Sequence, residues 1–466
     1  MKTLLAPLTC LSFLLPAVVA AGEFKTDADD RYDLSLTVYN AGRALVRDNR
    51  RFTPDKPIDQ VAFSDVAQQI MAQTVAIEGL DVLEQNYDYD LLSPQSLARK
   101  HLDRKVRIAR RSDQTGETLE WRSGTILSTN GGVILQMDDG SLESLESNRN
   151  YHMVFEEIPP DLRASPTLTL RLGEAVRGQQ QVGLTYLSGG LSWHSDYVLQ
   201  LAQDESRADL DSWVTLTNQS GVAYRDARLQ LLAGDVNTVT PARDKMMMAE
   251  AMMARGVADA QVSQEALHGY HLYSVPFKTT IRDQQSKQIR LFKATGITVE
   301  KRLEDLAWVN QDGVDPQKSK PDQILVIDNR KPSLGLPLPK GTVRVYGRDQ
   351  RGENQFLGED RIGHTAVNDE VELRIGKAFD VSIERETSEY QTISKTQSRL
   401  TRTLRINNGG KTAQLLDLTE LMPGNNWSIL QSSHDHQRGG PRELKFSVDL
   451  PAMQQIELSY RVEIRR

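Results

Sequence analysis

Residues 187–239 read LSGGLSWHSDYVLQLAQDESRADLDSWVTLTNQSGVAYRDARLQLLAGDVNTV. Three apolar runs stand here between turn-forming residues. Leu199 and Leu201 alternate with Gln200. Val214 and Leu216 alternate with Trp213, Thr215 and Thr217. Ala227, Leu229 and Leu231 alternate with Arg228 and Gln230. Successive side chains of a strand point to opposite faces, so each run has one buried face and one wet face. That is the signature of an antiparallel sandwich sheet. Trp193 and Tyr197 are four apart and share one side of their strand. The spacing predicts packing between sheets, with a sugar-stacking platform as the alternative for the same pair.

Upstream, Leu34, Leu36 and Val38 alternate with Ser35, Thr37 and Tyr39, and Asn40-Ala41-Gly42 turns the chain into residues 44–52. Ser93-Pro94 is a helix start, with Ser93 as cap and Pro94 at the first helical position. Between residues 103 and 158 the turns crowd (Thr115-Gly116, Asn130-Gly131-Gly132, Asp139-Gly140), which predicts five or six short strands and a small inserted β-barrel. Downstream of Pro332 to Pro339 the alternation is cleanest. Val371, Leu373 and Ile375 form one such run, and Phe379, Val381 and Ile383 another. Asn407-Asn408-Gly409-Gly410 reads as a hairpin turn. Ile456, Leu458, Tyr460, Val462 and Ile464 make a final strand.

The fold class expected is therefore mainly β: tandem antiparallel β-sandwich (Ig-like) regions with the small inserted β-barrel. The turn signals divide the chain into an N-terminal β region (22–102), the barrel (103–158), a first sandwich (165–330) and a C-terminal sandwich (336–466). One segment breaks the pattern. Residues 245–267 read KMMMAEAMMARGVADAQVSQEAL, a short helical or disordered Met-rich insertion. Met246, Met247, Met248, Met252 and Met253 are a candidate partner contact, because Met side chains adapt to irregular surfaces. Thioethers also favour Cu(I), which makes copper binding an alternative.

The chain has 466 residues, 26% charged and 39% hydrophobic, with a formal net charge of −7. An acidic balance argues against nucleic acid as a partner. The opening MKTLLAPLTCLSFLLPAVVAAGEF carries Lys2, a short apolar core and small residues at Val18, Ala20 and Ala21. It reads as a secretory signal over residues 1–21, cleaved near Ala20 or Ala21. Its apolar run is short of the ~20 residues a spanning helix needs. Cys10 is the one cysteine, so the cleaved chain holds its fold by core and sheet alone, as suits a bacterial periplasm.

Trp193 and Tyr197 after Leu187-Ser188-Gly189-Gly190-Leu191, then Val214 to Gly221 and Leu232-Ala233-Gly234-Asp235-Val236-Asn237, together resemble the bacterial domain-of-unknown-function family four-one-three-nine, whose relatives are called mucoidy inhibitor A-like. Phe356 to Thr365 and Gly376 to Val381 resemble the second half of the same family. The resemblance spans roughly residues 180–466 and implies an exported β-sandwich protein. It carries over no reaction and no catalytic residue.

The sequence holds no G-x-S-x-G, H-E-x-x-H, G-x-G-x-x-G or C-x-x-C motif. Gly410-Lys411-Thr412 ends like a phosphate loop, but Arg405 stands where its first glycine belongs. His434 and His436 flank Asp435 and share a strand face, a start on a metal site without a third ligand in a polar loop. Tyr87-Asp88-Tyr89-Asp90 reads as a strand end with solvated acids, or as a cation or sugar site. Glu359, Asp360 and His364 read as a turn network; adjacent acids on a strand point apart, which argues against a glycosidase pair. The expectation is an exported, non-enzymatic envelope interaction or scaffold protein, periplasmic or secreted. It needs no cofactor, binds envelope proteins and has no nucleic-acid role. The alternatives are a glycan-binding or glycan-hydrolysing protein, and a copper binder.

Overall fold

The computed structural model describes residues 22–111, 115, 117–145, 151–159, 162–234, 263–267, 270–309 and 317–465. The leader and all five methionines of the Met-rich segment lie outside the described residues. The fold is mainly β, in several antiparallel-rich sheets. The alternation at residues 191–231 becomes two facing sheets. Leu191–Leu201 and Arg207–Asn218 pair antiparallel within a ten-stranded sheet. Tyr224–Ala233 crosses to an eight-stranded sheet, where it runs parallel to Arg31–Tyr39. Trp193, Tyr197 and Leu199 from the first sheet pack into one core with Leu36, Val38, Leu184 and Leu231 from the second. Each such side chain contributes about 1.5–3 kcal/mol by leaving water. Trp193 Nε1 donates to Val38 O at 3.0 Å, and Asn40 Nδ2 donates to Trp193 O at 3.1 Å, so hydrogen bonds tie the two sheets as well.

The N-terminal strands share this core. Arg31–Tyr39 and Arg43–Phe52 sit in the eight-stranded sheet beside Tyr224–Ala233 and Gln180–Gly189. Turn signals divide the chain there, but the pairing is long-range and leaves no local mark. A four-stranded sheet (Gly22–Thr26, Ile58–Phe63, Thr167–Val176, Val82–Asp88) adds Val61, Phe63, Leu168 and Leu170 to the same core. It is tied in by buried charge. Asp48 pairs with Arg50 at 2.8 Å and Arg31 at 2.9 Å, while Arg50 donates to Thr26 O and Ser64 O.

Thr167 lies opposite Asp88 in that sheet, so the chain leaves and re-enters it at one place. The excursion forms a five-stranded antiparallel sheet in the order Leu142–Leu145, Val133–Met137, Thr118–Ser128, Lys105–Arg111, Tyr151–Val154. Its own core holds Val106, Ile108, Ile126, Leu135 and Met137, with Ala98 supplied by the helix Pro94–Lys100. Ser93 caps that helix by accepting from Ser96 N. The expected barrel does not close: among the described residues the two edge strands make no pairing. Turn residues specify hairpins one at a time. Closure depends on the tilt and stagger of the whole sheet, which no turn encodes.

The strand Gln285–Trp308 spans 24 residues. Its first part pairs with Arg207–Asn218, and its last residues run parallel to Gln414–Leu421. It places Ile289, Leu291, Ile297 and Val299 in the first core and Leu303 in a second. That second core lies between the far end of the ten-stranded sheet and a five-stranded sheet of Gln317–Ser319, Val381–Ser394, Gln397–Asn408, Gln454–Arg465 and Asn426–Ser432.

Two local expectations are corrected. Phe379 is 85% exposed, because the strand begins only at Val381. The Asn407–Gly410 turn is no hairpin: the strand before it belongs to the five-stranded sheet and the strand after it, Gln414–Leu421, to the ten-stranded one. A buried asparagine makes the crossing. Asn408 Nδ2 donates to Thr412 O, Leu450 O and Pro451 O, and its Oδ1 accepts from Gly410 N. The first sandwich turns its corner the same way. Asn218 Nδ2 donates to Val222 O and Arg282 O, and its Oδ1 accepts from Ser220 N.

Candidate functional site

Charged residues stand in phase with apolar ones on four strands of the C-terminal sandwich. Asp305 follows Leu303 by two, Arg385 follows Ile383, Arg402 lies between Leu400 and Leu404, and Glu420 follows Leu418. Period-two alternation sends all four inward, and all four are buried. They converge. Arg385 Nε donates to Glu420 Oε1 at 2.7 Å, and Arg402 Nε lies 2.9 Å from Glu420 Oε2. Tyr460 Oη donates to the same oxygen at 2.9 Å. Arg385 Nη2 sits 2.5 Å from Asp305 Oδ2, an ion contact off the hydrogen-bond axis. Ser319 Oγ accepts from Arg385 and donates to Asp305. Burial opposes the charge on Arg385, but Glu420 and Asp305 outweigh it and its pKa is raised. Burial, and then the Glu420 charge, push the Tyr460 phenol well above its ordinary value.

This network underlies the chain's surface at Trp308. Arg402 Nη2 donates to Trp308 O at 3.3 Å, which anchors the end of the long strand. The outward positions of that strand end are Leu306 and Trp308, and the indole is 51% exposed. The Arg442 guanidinium lies 4.8 Å from the Trp308 ring centre, held there by a bond from its Nε to Met422 O at 2.8 Å. A cation over an indole face is attracted to its π cloud and fixes the ring. Trp308 is common to two clefts. One, of about 360 Å³, is lined by Leu421, Asn425, Pro441, Arg442 and Glu443. The other, of about 620 Å³, has Gln317, Lys318, Ser319, Asp305 and Arg385 on its walls. Next to them Arg438 stacks on Trp427 at 4.4 Å and donates to Asn425 O and Pro441 O, so the loop carrying Asn425 is tied down.

The residues marked from the sequence lie elsewhere. Trp193 is 2% exposed and Tyr197 fully buried, with Tyr197 Oη donating to Pro339 O at 2.7 Å. Neither ring can stack on a ligand. His434 and His436 part company: the first bonds Ser433 Oγ, and the second lies 6.2 Å from the Phe446 ring. Among the described residues no three His, Cys, Asp or Glu side chains converge to hold a metal. Asp88 accepts from Arg163 and Thr169, and Asp90 pairs with Arg99 and Lys100. The Tyr87 phenol donates to Ala67 O and Gln68 O, and burial pushes it up to about 12. Glu359 pairs with Arg344, Asp360 accepts from Arg361 N and Arg374 N, and His364 Nδ1 accepts from Lys340 N. These three tie separate strands rather than face a common point. Trp308 escaped the sequence reading, although four charges at core-phase positions pointed to its surroundings.

No helix among the described residues is long and apolar enough to cross a membrane. No protein-family model matches the chain, and no curated protein matches it. The resemblance to the domain-of-unknown-function family rests on its motifs alone.

Proposed function

We propose that this chain is an exported, non-enzymatic envelope interaction or scaffold protein that presents the Trp308 surface to a partner. The observation that carries the reading is a half-exposed tryptophan on a rigid frame. Leu306 and Trp308 are exposed on the same face at the strand end, and neighbouring exposed apolar side chains are the form a contact surface takes. The ionisable groups around it are locked to one another, an arrangement that holds a shape rather than one that passes protons. The leader-like first 21 residues support export, and the motifs shared with the exported family point the same way. The Met-rich segment is a second contact on the same reading, with copper as its alternative occupant.

Three measurements test this. N-terminal sequencing of chain recovered from an envelope fraction is expected to begin after Ala20 or Ala21; retention of Met1 in the cytoplasm sinks export. Crosslinking in intact cells is expected to yield partner adducts that weaken in Trp308→Ala or after deletion of residues 245–267. Adducts indifferent to both changes sink the contact assignment. Copper content that drops on the same deletion would move that segment from partner contact to metal site.

A further inference from the structure

We propose that the Trp308 surface binds an uncharged oligosaccharide; this rests on reading that surface as a contact site. The ring offers the first half of the recognition. Arg442 lies over the ring, and at 51% exposure much of Trp308 still meets solvent as an apolar surface. A pyranose carries C–H bonds on its faces and hydroxyls around its rim, so it stacks on such a ring while its edge stays polar. The clefts offer the second half. Both are shallow and open to solvent, the form that suits an extended chain lying along the surface. A chain of sugars laid over Trp308 reaches into both. Asn425 and Glu443 stand in one and Gln317 in the other, planar groups with paired donors or acceptors that match neighbouring hydroxyls.

Charge decides against the competing ligands. Arg385 and Arg402 are matched by Asp305 and Glu420, and Lys318 lies 3.7 Å from Glu384. Arg442 and Arg438 have no acid partner among the described residues, but each is held over an indole ring and to backbone carbonyls, so the cations here are committed to the protein's own groups rather than to a polyanion. An apolar peptide side chain would cover the polar walls and return no hydrogen bonds, at a cost for each group left unmade. A sugar satisfies both the ring and the walls.

Calorimetric titration of the full chain with chitohexaose and with cellohexaose, both uncharged, tests the assignment. Saturable binding to at least one is expected. Trp308→Ala should weaken it by about tenfold or more, and Trp308→Tyr, which keeps a platform, should stay within about threefold. Asn425→Ala alters only an exposed rim residue and should weaken binding with the thermal transition unchanged, which separates loss of contact from loss of fold. No saturable binding to either sugar up to about 10 mM overturns the proposal. So does binding that Trp308→Ala and Asn425→Ala leave intact. If the sugars fail while crosslinks in cells still depend on Trp308, the ligand class is wrong and the contact surface stands.

Discussion

Glu420 is the residue on which the C-terminal sandwich balances its charge. It is fully buried and faces two guanidiniums and a phenol. Glu420→Gln leaves two buried cations against one remaining acid, and a broken buried pair costs about 3–5 kcal/mol. Urea unfolding followed by Trp fluorescence should show that loss; a change under about 1 kcal/mol would place the network outside the stability of the fold. Asn408→Ala strips partners from three buried carbonyls at a sheet crossing and is expected to cost about 1–3 kcal/mol or more by the same assay. Asp196 gives a pH signature. Burial raises its carboxyl pKa, but bonds from Thr215 and Arg344 and the neighbouring His194 outweigh that, so it sits below its ordinary 3.8. A lowered carboxylate stabilises above its unfolded pKa, and that contribution disappears as pH falls through the folded one. Asp196→Asn should therefore melt lower than the parent at pH 7, and the gap should close as the pH falls below the carboxyl's ordinary 3.8 and through its lowered folded value. A gap that persists in acid would mean lost packing instead.

Gln285–Trp308 is the element that makes two sandwiches one structure. Its early residues feed one core and Leu303 the other, and it ends on Trp308. Nothing in the sequence marks residues 285–308 as one strand spanning both cores, because a periodic pattern says which side is buried and not against what. The last strand works within one core. Gln454–Arg465 lies between Gln397–Asn408 and Asn426–Ser432 and buries Leu458, Tyr460, Val462 and Ile464. Deleting residues 454–465 removes a central strand with both ladders. Four buried side chains at about 1.5–3 kcal/mol each exceed what a domain of marginal stability has to spare. Loss of near-ultraviolet dichroism and rapid proteolysis of residues 381–453 are the expected readouts; a protease-resistant product would show that the neighbouring strands hold without it.

Across the whole molecule, the inserted sheet stands apart while the other two regions are joined. Its core is separate, and the chain enters and leaves beside paired residues 88 and 167. Replacing residues 93–161 with a short Gly-Ser linker should leave the thermal transition of the remainder within a few degrees, because long loops tolerate exchange at small entropic cost. A collapse of that transition would show that the insert braces the four-stranded sheet. The N-terminal strands are the opposite case: they complete a sheet with residues 224–233 and cannot be removed as a unit.

By itself the sequence determined most of the strands, the buried faces of residues 191–231 and the helix cap at Ser93. Those are local matters, set by period-two alternation and by turn and cap chemistry within a few residues. Tertiary structure decided what the strands meet. It paired residues 31–39 with 224–233, turned the Asn408 corner between sheets instead of into a hairpin, and left the inserted sheet's edge strands unpaired among the described residues. It also buried Trp193 and exposed Trp308. Both tryptophans sit on alternating strands, and the two differ only in whether another sheet covers the face to which they point. That covering comes from residues far away in the chain, so no local pattern records it.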